Sequence, residues 1–180
     1  QTWGTAMFGD DVGSAAGKIF NDIEGDNTPR PVTWTDGPGA LIPDTGSCNK
    51  LANGAYDFVD NLKTLFDGAD MTAQQTDNAN YWANHLSYTR SLAEIACSWS
   101  KFDGAVTTVN ATAADKQQQK AIELLPLARK DMIGTSTTAM NFLLAHVSSV
   151  GELGTVRNVL MHTLTLAFDD YADTMAAFGV

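Results

Sequence analysis

The chain has 180 residues, with 11 basic against 21 acidic side chains and a net charge of −10. At roughly 150 residues per domain one domain is expected, and such a chain buries about 70% of its unfolded surface without a metal or a dense disulfide framework. The acidic balance disfavours nucleic acid and anionic membrane surfaces, and no apolar run approaches the ~18 residues of a membrane span.

Hydrophobic residues make up 44% of the chain and aromatics 9%, which excludes a wholly disordered polypeptide. The first periodic segment runs from Asp10 to Glu24. There Val12, Ala15, Ala16, Ile19, Phe20 and Ile23 recur at helical steps, and Gly25 supplies a stop. The stretch from Asp26 to Ser47 holds Pro29, Pro31, Pro38 and Pro43 together with Val32, Trp34, Leu41 and Ile42. Those apolar residues predict an ordered Pro-rich loop packed over a helical body.

From Cys48 to Asp67 one helical face carries Leu51, Ala55, Phe58, Val59, Leu62, Leu65 and Phe66, with Ser47 as N-cap and Gly68 as terminator. A third pattern spans about Thr72 to Phe102 and ends at Asp103-Gly104. Its two adjoining stripes imply contact with two neighbours. A fourth starts near Thr112 and contains Pro126. A proline inside a helix removes a donor and clashes with the preceding turn, so a kink is expected there. The last pattern begins at Thr155, after Gly154, and continues to the C-terminus. No segment alternates over a useful length. The expected architecture is all-α: an up-and-down four-helix bundle with an additional N-terminal helix and a long ordered Pro-rich loop. It forms a single helical domain over 1–180, in which 1–47 pack on a bundle of 48–180.

The chain begins with Gln1, and no basic stretch followed by an apolar run precedes the first helix. An exported chain after signal-peptide removal is the expectation, in a secreted, periplasmic or lumenal location. Cys48 and Cys97 then pair most simply with each other. Asn110-Ala111-Thr112 is a glycosylation sequon in an expected inter-helix loop.

The motifs that carry chemistry are mostly absent. None of the four Glu has a His three residues on, which excludes a di-iron bundle. Zincin, C-x-x-C, haem-attachment, nucleophile-elbow and phosphate-loop signatures do not occur, and no metal site is expected. Asp44-Thr45-Gly46-Ser47 resembles the active-site loop of aspartic proteases. That chemistry needs a second carboxylate on a β-rich scaffold, which this chain lacks, so Asp44 is read as a helix cap.

His85, His146 and His162 lie near core-facing positions and are the only candidates for a haem or metal ligand, though boundary histidines bonded to water or carbonyls explain them as well. Asp169 and Asp173 share a helix face. Trp3, Trp34 and Arg30 fall outside the strong helices and are candidates for an interface.

A non-enzymatic protein that binds a partner protein, or serves as accessory subunit of an assembly, is the leading expectation. Such a protein needs no pocket gathering two titratable groups with strongly shifted pKa values. The alternatives are a carrier of a small apolar ligand, haem or pigment in the bundle core, and an enzyme without a familiar motif. No cofactor is required by any motif.

Overall fold

The computed structural model describes residues 2–25, 45–111, 119 and 122–178, and the described residues form an all-α fold without strands. The chain opens with a short helix the periodicity did not suggest, α1 (Trp3–Phe8), capped by Thr2 and closed at Gly9, whose φ is 89°. A turn follows and α2 runs over Gly13–Glu24, three residues later than the expected start at Asp10. The two helices cross at glycine. A Cβ on Gly4 would collide with the carbonyl of Gly13, and one on Gly13 would collide with the backbone of Thr5.

The expected single helix from Cys48 to Asp67 is two helices, α3 (Thr45–Ala52) and α4 (Asp57–Asp67). The break falls at Asn53-Gly54, where Gly54 takes φ 71°, a left-handed position that side chains resist. Ser47 is buried inside α3 instead of capping it. Gly68 does end α4.

The long helix α5 (Ala73–Ala111) has 39 residues and so spans about 58 Å. Its start is a reciprocal capping pair: Thr72 N–H donates to Gln75 Oε1 at 2.8 Å, and Gln75 N–H to Thr72 Oγ1 at 3.3 Å. The expected stop at Asp103-Gly104 does not hold. Phe102, Ala105, Val106 and Val109 continue the apolar period onto Leu125, Met132, Tyr171 and Met175. That burial outweighs the ~1 kcal/mol cost of one helical glycine. Asn110 therefore sits exposed in the last turn of α5 and not in a loop, while Thr112 lies outside the described residues.

Pro126 produces no kink. It stands at the first turn of α6 (Leu125–Ala145), preceded by a turn at 123–124. A first-turn N–H has no intrahelical acceptor, so proline costs nothing there. The last helix begins at Val150, not Thr155. Ser149 is its N-cap, and α7 (Val150–Val159) passes through Gly151 and Gly154. A π-helical turn, Leu160–Leu164, joins α7 to α8 (Thr165–Ala177). Thr165 explains the wider turn: its N–H and its Oγ1 both donate to the Leu160 carbonyl, five residues back.

Chain direction alternates along the four long segments. Cys48 joins Cys97 and Asp60 joins Arg90, so α3–α4 runs antiparallel to α5. Leu92 and Ile95 share a cluster with Met140 and Leu143, while Phe102 and Val109 share one with Leu125 and Met132, so α6 runs back along α5. Among the described residues the core comprises three clusters, each drawing on α5. The first half of α5 packs with α1, α2 and α4 through Phe8, Val59, Leu62, Phe66, Ala79 and Leu86. The middle and far end pack with α6 and the α7–α8 rod. No cluster of described residues draws on all four segments. At the centre α5 is buried nearly all round, and small side chains fill it. Ser87, Ser91 and Ser98 donate back to their own helix at 2.6, 2.9 and 2.9 Å, which satisfies the buried hydroxyls.

Candidate functional site

Two of the three candidate histidines meet. His85 lies on the first half of α5, four residues after Tyr81 and three before Tyr88. His146 is the C-cap of α6. Their ring centroids stand 5.0 Å apart at 81°. Tyr81 lies parallel to His85 at 6.2 Å and edge-on to His146 at 5.7 Å, and Tyr88 approaches His146 at 5.9 Å. The backbone of His162 is in the π-helical turn, and its side chain lies outside the described residues.

The third partner is Glu152, in the first turn of α7. Its Oε1 accepts from the Tyr81 hydroxyl at 2.9 Å. Its Oε2 accepts from the Ser148 N–H at 2.8 Å and from the Ser148 and Ser149 hydroxyls at 2.9 and 3.0 Å. Ser149 Oγ in turn accepts from the Glu152 N–H at 3.2 Å. These bonds to the charged form, led by the Ser148 backbone, hold the Glu152 carboxyl down at about 2. The Tyr81 hydroxyl is pushed above its ordinary range by the same bond.

The histidines are asymmetric. His146 is buried, and its Nδ1 bonds the Phe142 carbonyl at 2.9 Å; a carbonyl only accepts, so Nδ1 carries the proton. His85 Nδ1 and the Tyr88 hydroxyl are enclosed and have no hydrogen-bond partner among the described residues. Burial, then the neighbouring His146, lowers the His85 pKa. Burial pushes Tyr88 up to about 12. Shifted titratable groups thus gather at a packed helix junction and not in a pocket. Glu152 stays ionised far below neutral pH and is ill matched to proton transfer there. The two imidazoles touch each other, so this arrangement does not hold a flat macrocycle between them. Among the described residues no group of three or more His, Cys, Asp or Glu is placed to bind a metal.

Trp3 is 46% exposed and lies edge-on to Phe8, Phe20 and Trp82. It is both a staple between α1, α2 and α5 and one wall of a cleft of about 500 Å³ with Phe20, Asn21, Glu24 and Trp82. Trp34, Arg30, Asp44 and the rest of the Pro-rich stretch up to residue 44 lie outside the described residues, while Thr45, Gly46 and Ser47, expected in that loop, belong to α3. Cys48 and Cys97 are bonded, with Cα atoms 4.8 Å apart. Asp57, Asp169 and Asp173 are exposed, and Asp60 pairs with Arg90 at 2.9 Å.

Sequence reasoning missed an apolar surface. Nine large hydrophobic residues are exposed among the described residues, and eight of them fall between Leu124 and Met161. Val150 (88% exposed), Leu153 and Arg157 on α7, with Leu160 and Met161 at the start of the π-helical turn, recur at helical spacing and form one stripe that runs from α7 into that turn. Leu144 lies exposed one turn before the α6–α7 connection. The signal was present in the sequence. Val156, Val159 and Leu164 supply the buried face, which leaves Val150, Leu153, Leu160 and Met161 as apolar residues without a core to enter.

No family model matches the chain, and no curated protein or solved structure shows significant similarity to it.

Proposed function

We propose that this is a non-enzymatic helical protein that binds a partner protein through the apolar stripe of α7. The observation that carries the reading is the stripe itself: Val150, Leu153, Leu160 and Met161 are exposed together on one helix face. A soluble surface tolerates scattered hydrophobic residues, but a row of them with a charged member, here Arg157, is characteristic of an interface. Trp3, the candidate from sequence, has most of its contacts inside its own end of the fold, which favours a stapling role for it. The full bonding and low pKa of Glu152 support a structural role for the one cluster that resembles catalytic machinery. The Cys48–Cys97 bond supports an oxidising, exported location, because reducing compartments keep thiols apart.

Native mass spectrometry of the protein isolated from its source tests the reading. A complex is expected, and Leu153→Asp combined with Leu160→Asp should abolish it while leaving the melting temperature within a few degrees. A solitary chain, or a complex that survives both substitutions, overturns it.

A further inference from the structure

We propose that the His85–His146 contact is an acid-sensitive latch that holds the start of α7, and the apolar stripe it bears, against α5. Two ties join these elements. One is the packing of His146 against His85, Tyr81 and Tyr88. The other is the Tyr81–Glu152 hydrogen bond at 2.9 Å. The connection between α6 and α7 is only His146 to Ser149, so both ties act on one short turn. The stripe begins at the next residue, Val150.

Protonating His85 makes its enclosed Nδ1 a donor without an acceptor and sets a positive charge against the His146 ring. An ordinary histidine changes charge between about pH 5 and 8, and burial beside His146 moves the change of His85 toward the acid side of that range. The groups that face the pair decide whether the charge is tolerated. From α5 come Tyr81 and Tyr88, both neutral. From α6 the Phe142 carbonyl already accepts from His146 Nδ1. From α7 comes Glu152, the carboxylate nearest the pair, and its oxygens already accept four hydrogen bonds. The ammonium of Lys63, on α4, lies 5.0 Å over the Phe142 ring and belongs with Arg90, Asp60 and Glu94 and not with the histidine pair. The carboxylates of Asp60 and Glu94 pair with Arg90, beyond Tyr88 on α5. Glu152 cannot turn toward a charged His85 and keep its bonds to Tyr81 and the serines. Separating the turn from α5 lets water solvate the His85 ring, and Val150 and Leu153 move with it.

The inference rests on reading the stripe as a binding face, but its test does not need the partner. Hydrogen exchange of the free chain is followed from pH 7.5 to 5, with rates corrected for the intrinsic chemistry of exchange. Amides 147–156 should lose protection several-fold across that range. Those of Leu92–Cys97, in the centre of α5, should not change. His85→Phe should remove the pH dependence while keeping the fold, and His146→Phe provides a second variant should the first fail to fold. Equal protection at both pH values, or a pH dependence that persists in the folded variant, overturns the latch. A latch that opens as described in a chain that forms no complex leaves this inference standing and rejects the binding face.

Discussion

Gly4 and Gly104 carry the same residue for opposite physical reasons. Gly4 lets α1 cross α2 at backbone contact, where a Cβ would collide with the Gly13 carbonyl. Gly104 sits in a helix with nothing within 4 Å of the place its Cβ would take. Gly4→Ala should destabilise by about 1–3 kcal/mol through overpacking. Gly104→Ala should stabilise by about 0.4–1 kcal/mol by restricting the unfolded chain. Urea unfolding of both variants checks the contrast, and equal effects would contradict it. The titrating residues make a second prediction. Because His85 binds its proton less readily when folded than its ordinary 6.5, its contribution to stability is intact above that value and declines as pH falls below it. The Glu152 contribution is intact above 4.5 and is lost as pH falls toward about 2. The urea midpoint should therefore fall in two steps, and His85→Phe should flatten only the upper one.

At the scale of elements, periodicity identified the helical segments and local chemistry decided where they end. The apolar faces of α4 and α5 follow from spacing alone, and so does the double contact of α5. The boundaries depended on short signals that a face-counting argument passes over. Asn53-Gly54 splits what looks like one helix, and Ser149 with Glu152 starts α7 a turn and a half before Thr155. Pro126 was legible as a helix breaker, but its place at a first turn depends on where α6 starts. Gly104 was misleading because the pairing of α5 with α6 and α8 lies outside any local window. The meeting of His85 with His146 was not legible either, since it depends on how far α6 slides along α5. The cap at Ser149 makes a prediction of its own. Ser149→Ala should cost about 0.5–2 kcal/mol by leaving the Glu152 N–H without its acceptor. A loss of helicity confined to 150–156 by NMR shifts would place the effect there, whereas an unchanged midpoint would show that the cap is dispensable.

The whole molecule is organised around α5: α1, α2 and α4 cover its first half, α6 and the α7–α8 rod its second, and the α6–α7 turn reaches back to Tyr81, His85 and Tyr88. The Cys48–Cys97 bond pins α3 near the changeover, beside the clusters of both halves. It closes a separation of 49 residues, worth about 4 kcal/mol on the chain-entropy account. Replacing both cysteines by serine should cost about 2–5 kcal/mol by urea unfolding, and a smaller loss would mean that packing alone secures α3. The fold class was legible because helices, core faces and the disulfide all follow from the order of residues. The exposed apolar stripe was less so, because exposure belongs to the assembled core and not to any single stretch. The molecule presents the aromatic cleft at Trp3, walled by Trp82, and the stripe of α7, whose first turn bonds the adjacent Tyr81. The central claim is that the second of these contacts a partner. Hydrogen exchange of the native complex against the free chain tests it most directly. Amides 150–161 should slow on binding while those of α1 and α2 keep their rates. Slowing confined to α1, α2 and the flank of Trp82, with α7 unchanged, would contradict the account.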